Sequence, residues 1–189
     1  MLNIVSSILA PQVAAATSSY ESIATTTVGS GGVASITFSS IAATYTHLQI
    51  RGIGRTNRSA AADMDSLFIQ FNGDTAANYS DHALRGDGAS ATVSSDVSYT
   101  GMEMYRLANL YVASTFMGAQ IVDILDYANT NKYKTIRALG GVDNNGSGQL
   151  ALNSGNWRNT AAITSILLKP AVGTLFTEYS SFALYGIKG

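Results

Sequence analysis

The stretch Thr25-Thr-Thr-Val-Gly-Ser-Gly-Gly-Val-Ala-Ser-Ile-Thr-Phe38 decides the fold class: a β-branched run, a glycine-rich break, then an alternating run. Ala34, Ile36 and Phe38 alternate with Val33, Ser35 and Thr37, the period of a half-buried strand. Gly29-Ser-Gly-Gly32 supplies residues that take positive φ at little steric cost, so a first hairpin is expected here.

The same grammar continues outward. Leu48 and Ile50 alternate with His47, Gln49 and Arg51, and Gly52 followed by Ile53 shifts the phase by one residue, which predicts a bulge. Leu67, Ile69 and Phe71 form the next inward face, closed by the turn residues Asn72-Gly73-Asp74. Further strands are expected over residues 93–105, 110–116, 119–127, 133–139, 149–152, 162–168 and 180–187, for a total of about eight to ten. The intervals between them are too short for βαβ crossovers, which predicts an all-β antiparallel sandwich. A jelly roll of two Greek keys fits the count. The serine- and glycine-rich patches at residues 86–95 and 140–148 read as long loops at sheet ends, so residues 20–189 form one domain.

Residues 1–19 read as an extended or short-helical arm. The first charge of either sign is Glu21, and Leu2, Ile4, Val5, Ile8 and Leu9 make the arm adhesive, with Pro11 stopping any helix. These five residues are the candidate partner interface. A cleaved secretory signal is the competing reading, although the basic start of such a signal is missing. The run is too short and polar to span a bilayer, so no membrane is expected as a partner.

Composition narrows the function. Of 189 residues 46% are hydrophobic and 12% charged, about half the usual charged share. The net charge of -1 gives no long-range attraction for nucleic acid. So few charges predict association, since solubility rises with net charge. The absence of cysteine excludes a thiol nucleophile and cysteine-ligated metal.

Chemical motifs are sparse. Asn72, Asp74, Asn78, Ser80 and Asp81 could offer oxygen ligands to calcium or simply build Asx turns; the polar loop Asp143-Asn144-Asn145-Gly146-Ser147 reads the same way. Arg85-Gly86-Asp87 matches a cell-adhesion tripeptide, and it also reads as a turn with Gly88. Asn57, Asn78 and Asn145 head formal glycosylation sequons. His47 and His82 are the two histidines, with His47 on an outward strand position, and neither lies in a catalytic signature. Asp63 with Asp65, and Asp123 with Asp126, are the closest acidic pairs; extended backbone would send the second pair to opposite faces. No enzyme, metal or cofactor is expected. Trp157, Tyr99, Tyr105 and Tyr111 could stack on sugars or fill half-buried seams.

One resemblance is specific. Tyr20-Glu-Ser-Ile-Ala-Thr-Thr-Thr-Val-Gly-Ser-Gly-Gly-Val-Ala-Ser-Ile-Thr-Phe38, Tyr45-Thr-His-Leu-Gln-Ile-Arg-Gly-Ile-Gly-Arg-Thr56, Phe71-Asn-Gly-Asp74 with Asn78-Tyr-Ser80, Trp157-Arg-Asn-Thr-Ala-Ala-Ile-Thr-Ser-Ile166 and Leu184-Tyr-Gly-Ile187 together resemble a family of tailed-bacteriophage virion structural proteins. Residues 1–19 and 89–148 do not share in the likeness. The resemblance implies a β-sandwich in a head-decoration, fibre or tail-associated role, on a virion assembled in the bacterial host cytoplasm. A capsid decoration, or cement, protein bound to the major capsid protein follows as the leading expectation, with a homotrimer suited to threefold lattice positions. The alternative is a tail fibre or receptor-binding domain that recognises host glycan through residues 86–95 or 140–148.

Overall fold

The structure is a computed structural model, and it describes residues 18–59 and 64–189. Its strands are β1 (Tyr20–Thr27), β2 (Ile36–Phe38), β3 (His47–Gly54), β4 (Asp65–Phe71), β5 (Tyr79–Gly86), β6 (Ala91–Tyr99), β7 (Met102–Leu107), β8 (Gly118–Leu125), β9 (Lys134–Asp143), β10 (Gly148–Trp157), β11 (Ile166–Pro170) and β12 (Ser181–Ile187). All strand pairs are antiparallel, and the described residues contain no helix. They form an eight-stranded sheet in the order β1-β12-β3-β8-β9-β10-β5-β6 and a four-stranded sheet in the order β2-β11-β4-β7.

Two hairpins explain the unequal sheets. Setting aside β5–β6 and β9–β10 leaves β1-β12-β3-β8 facing β2-β11-β4-β7, the strand order of a jelly roll. The two inserted hairpins then extend the first sheet past β8, where the four-stranded sheet faces them mainly through β7, which packs against β9, β10 and β5.

The core lies between the two sheets of the roll. Leu48 and Ile50 from β3, Val122 and Ile124 from β8, and Leu67, Ile69 and Phe71 from β4 belong to one buried cluster. Trp157 joins them at the foot of the inserted strands, 5.5 Å from Phe71 and 6.2 Å from Tyr79 between ring centroids. Its indole N–H donates to Asp74 Oδ2 at 2.8 Å, so a large apolar ring enters the core with its one polar atom satisfied.

Several strand expectations need correction. The first hairpin does not form: β1 pairs with β12 and β2 with β11, in opposite sheets. The Gly29 to Gly32 turn is present, with Gly31 at φ 89° and Gly32 at φ 74°, but it sends the chain across the sandwich. Val33 then bridges to Phe176, a partner no local pattern announces. The bulge at Gly52 is also absent, because β3 keeps register with both neighbours. Gly52 simply occupies an inward position where a Cβ would overlap the Phe182 ring, and Ile53 points outward.

Residues 93–105 divide into β6 and β7, with Thr100 and Gly101 between them. Residues 110–116 are a loop. Arg55, itself buried, donates to the carbonyls of Val112 and Ala113 at 2.7 Å each, taking acceptors that a strand would give to a neighbour. The patches 86–95 and 140–148 are largely strand rather than loop: their tight turns at residues 87–90 and 144–147 close the two inserted hairpins. Asn145 at φ 64° and Gly146 at φ 106° show why that second turn is written Asn-Gly.

Candidate functional site

The inserted hairpins are apolar on both faces: Ala83, Ile136, Ala138 and Ala151 are buried beside the polar Asp81 and Asn153, and leucines and a valine stand exposed on the other face. On the outer face, Ile121, Leu139, Leu152, Leu84 and Val93 stand opposite one another on β8, β9, β10, β5 and β6. This is one straight row across five strands. Exposure rises along it from 37% at Ile121 to 78% at Val93. Ile53 and Leu150 lie one position away on the same face and are also exposed.

Leu152, Leu84 and Val93 of the row line a shallow concavity of about 550 Å³, which His82, Leu125, Thr135, Arg137 and Ser154 also border. Arg137 donates to Asp123 Oδ2 at 3.1 Å, and Gln49 donates to Asp123 Oδ1 at 2.7 Å, so a polar border runs beside the row. Contiguous apolar surface framed by polar groups is the usual form of a protein-binding face.

Beside the buried apolar cluster of Ala83, Tyr105 and Ala151, the inner face of the extension carries polar groups bonded to β7. Asp81 accepts from the Glu103 backbone N–H at 3.2 Å, and Asn153 Oδ1 accepts from the Tyr105 N–H at 3.2 Å. Arg106 Nε donates to Gln149 Oε1 at 2.6 Å, and Gln120 donates to the Arg106 carbonyl at 2.7 Å. The Arg85 and Arg106 guanidiniums lie over the Tyr105 ring, 4.9 and 4.6 Å from its centroid. Burial pushes the Asp81 carboxyl up to about 6, with repulsion from Asp96 and Glu103 acting in the same direction. Burial likewise raises Glu103, helped by Asp96 and Asp65.

A second concavity of about 560 Å³ lies where the two hairpin tips meet. Gly86, Asp87 and Gly88 line one side, and Gly146, Ser147 and Gly148 the other. The two patches that the sequence singled out for glycan recognition therefore share a cleft. Asp87 Oδ1 is engaged within its own turn, accepting from the Ala89 and Ser90 N–H groups at 2.9 and 2.7 Å.

The remaining candidate residues separate. His47 and His82 lie on β3 and β5, with β8, β9 and β10 between them. His47 Nδ1 accepts from the Asp126 backbone N–H at 3.0 Å. Asp65 is buried, its oxygens accepting from Thr56 Oγ1 and from the N–H groups of Ser66, Val172 and Gly173, so it ties the start of β4 to the loop after β11. Asp126, at φ 48°, lies beyond β8 and pairs with Lys132. Asp63 and the arm residues Leu2, Ile4, Val5, Ile8 and Leu9 lie outside the described residues.

The oxygens considered for calcium serve the fold. Asp74 accepts from Ala76, Asn78 and Trp157, and Asn72 Oδ1 accepts from the N–H groups of Thr164 and Ser165. Asp81 points to the inner face instead of joining them. Among the aromatic residues, Trp157 and Tyr105 are buried, whereas Tyr99 and Tyr111 are exposed.

Sequence reasoning missed the outer row. A signal was present in Gln149-Leu-Ala-Leu152, where apolar residues occupy both strand parities, so that one of the two faces must carry exposed leucines. Compared with protein families, curated proteins and solved structures, the chain matches none.

Proposed function

We propose that this is a non-enzymatic structural subunit of a tailed-phage virion, a decoration protein that binds and stabilises the lattice of major capsid protein. The observation that carries the reading is the apolar row on the outer sheet face, on a chain whose net charge is only -1. Such a face gains from being covered, and a near-neutral surface does not repel neighbouring copies. On a repeating shell, each contact formed raises the effective concentration for the next, so modest faces suffice. The sequence likeness to phage virion proteins points the same way.

Electron microscopy tests the reading. The purified protein, added to heads that lack it, should appear as repeated density on the shell, and removal of residues 1–16 should abolish that binding while the sandwich stays folded. Density confined to the tail, or full binding without those residues, would overturn it.

One observation favours a second reading, a fibre domain that binds host glycan: the cleft shared by the two hairpin tips. Polar turns can hydrogen-bond sugar hydroxyls there, but Trp157 is buried and cannot stack on them. A glycan array with the whole protein separates the two, since a decoration protein should leave it blank.

A further inference from the structure

The edge of the eight-stranded sheet bears a feature that neither reading requires. β6 ends that sheet, so one side of its backbone has no strand beside it among the described residues. Both faces of β6 are largely exposed as well, because β7 packs chiefly against β9, β10 and β5. Proteins usually blunt such an edge with lysine, proline or covering structure. β6 reads Ala-Thr-Val-Ser-Ser-Asp-Val-Ser-Tyr and carries a single charge, Asp96.

We infer that β6 is the dimerisation strand, pairing antiparallel with β6 of a second copy about a two-fold axis at Ser95. An antiparallel pair of identical strands must have its axis perpendicular to the sheet, which keeps outer face beside outer face and places one residue on the axis. The choice of that residue sets every pairing. With Ser95 on the axis, Val93 faces Val97 of the partner subunit and Val97 faces the partner's Val93. Asp96 then faces Ser94 of the partner subunit.

An axis on Asp96 would oppose two carboxylates, and an axis on Ser94 would put Val93 against the partner's Ser95. Like charges directly opposite destabilise a pair, and branched apolar pairs stabilise it, so Ser95 is the register the strand is written for. The apolar row ends at Val93, its most exposed member, and this dimer carries the row across the axis to Val97 of the partner subunit. The bulge at Ser98, which has φ 57°, bends the chain away and limits the flat edge to the residues before it. The two-fold contact differs from the threefold closure expected from the sequence, and it stands whether or not the protein belongs to a virion.

The absence of native cysteine makes a clean test possible. Ser95→Cys, treated with oxidised glutathione, should become a disulfide-linked dimer, because residues opposite each other on paired strands lie within disulfide range. Val97→Cys should not, since its two copies would be offset by four residues, about 13 Å along the strands. Light scattering of the unmodified protein should give twice the 19.8 kDa of one chain. Ser95→Lys, an exposed position, should raise the dissociation constant at least about tenfold by setting two ammonium groups face to face. A single-chain or three-chain mass for the unmodified protein, or cross-linking of Val97→Cys as readily as Ser95→Cys, would overturn the inference.

Discussion

The jelly-roll core and the inserted hairpins solve opposite problems with the same strand chemistry. In the core, β4 is buried at every position, and Leu48 and Ile50 of β3 and Val122 and Ile124 of β8 point inward, with only Ile53 and Ile121 as large apolar residues exposed outside. In the hairpins, Asp81, Asn153 and Gln149 point inward while Leu84, Leu152 and Leu150 point outward. Strand alternation is preserved in both, but the hairpins mix polar groups into a buried face that also holds Ala83, Ile136, Ala138 and Ala151, and they leave leucines in water. A sheet that buries carboxyl and amide groups and exposes leucine gains little as a monomer, so the binding proposed above falls to the extension and most of the apolar burial to the roll.

The sharpest way to break that division is at Trp157, where an inserted strand runs down into the core. Trp157 is 1% exposed and packs against Phe71 and Tyr79. Trp157→Ala should cost about 4 kcal/mol from the cavity and lost packing. It also leaves Asp74 without its indole partner. Urea unfolding followed by fluorescence-independent circular dichroism should show one transition at a much lower midpoint. A loss below about 1 kcal/mol would mean that the extension folds apart from the roll.

Acid–base behaviour should divide the regions next. Asp81 is 2% exposed, and its carboxyl titrates near 6 in the fold against an ordinary value of 3.8. Between those values the native state holds a proton that the unfolded chain has released. Stability from this group is therefore full at low pH, falls as pH rises from about 4 to 6, and stays low above that, a total of about 3 kcal/mol. Glu103 acts in the same direction. Asp74 and Asp126 act oppositely: hydrogen bonds from Asn78 and Lys132, respectively, hold them below the usual range, and their contribution is lost only in stronger acid. Asp81→Asn keeps an acceptor for the Glu103 N–H and removes the buried charge. It should raise stability at pH 8 by about 2 kcal/mol and flatten the fall between pH 4 and 6. Urea midpoints at pH 4, 6 and 8 measure this, and an unchanged slope would remove Asp81 from the account.

What was legible in the sequence follows the same division. Leu48, Ile50, Leu67, Ile69 and Phe71 were readable as core because each stands at a strict two-residue period. The sandwich followed from short strands and tight turns, and a jelly roll fitted their number, but the strand order came from the structure. Partner choice was not readable: Gly29 to Gly32 has the chemistry of a hairpin, and its use as a crossover depends on Phe176 and Leu168, far along the chain. The arginine-bound loop at residues 110–116 escaped for the same reason, since Arg55 acts through space. Of the site, the separate apolar residues were visible, but their alignment into a row requires the registers of four strand pairs at once.

The smallest effect on folding should come from the row itself, and that is what makes it informative. Leu139 and Leu152 stand opposite each other at 46% and 49% exposure, so each already spends much of its surface in water. Truncating them to serine removes cross-strand contact between the pair and little else, which limits the loss to about 0.5 kcal/mol apiece. Serine also accepts the exposed strand environment, so the registers of β9 and β10 need not shift. The double variant should therefore unfold at nearly the unmodified midpoint while the proposed binding to capsid shells falls at least about tenfold, since the lost apolar contact is realised only when a partner covers it. A large loss of stability with unchanged binding would reverse the assignment, making the row part of the fold and leaving the outer face without a role.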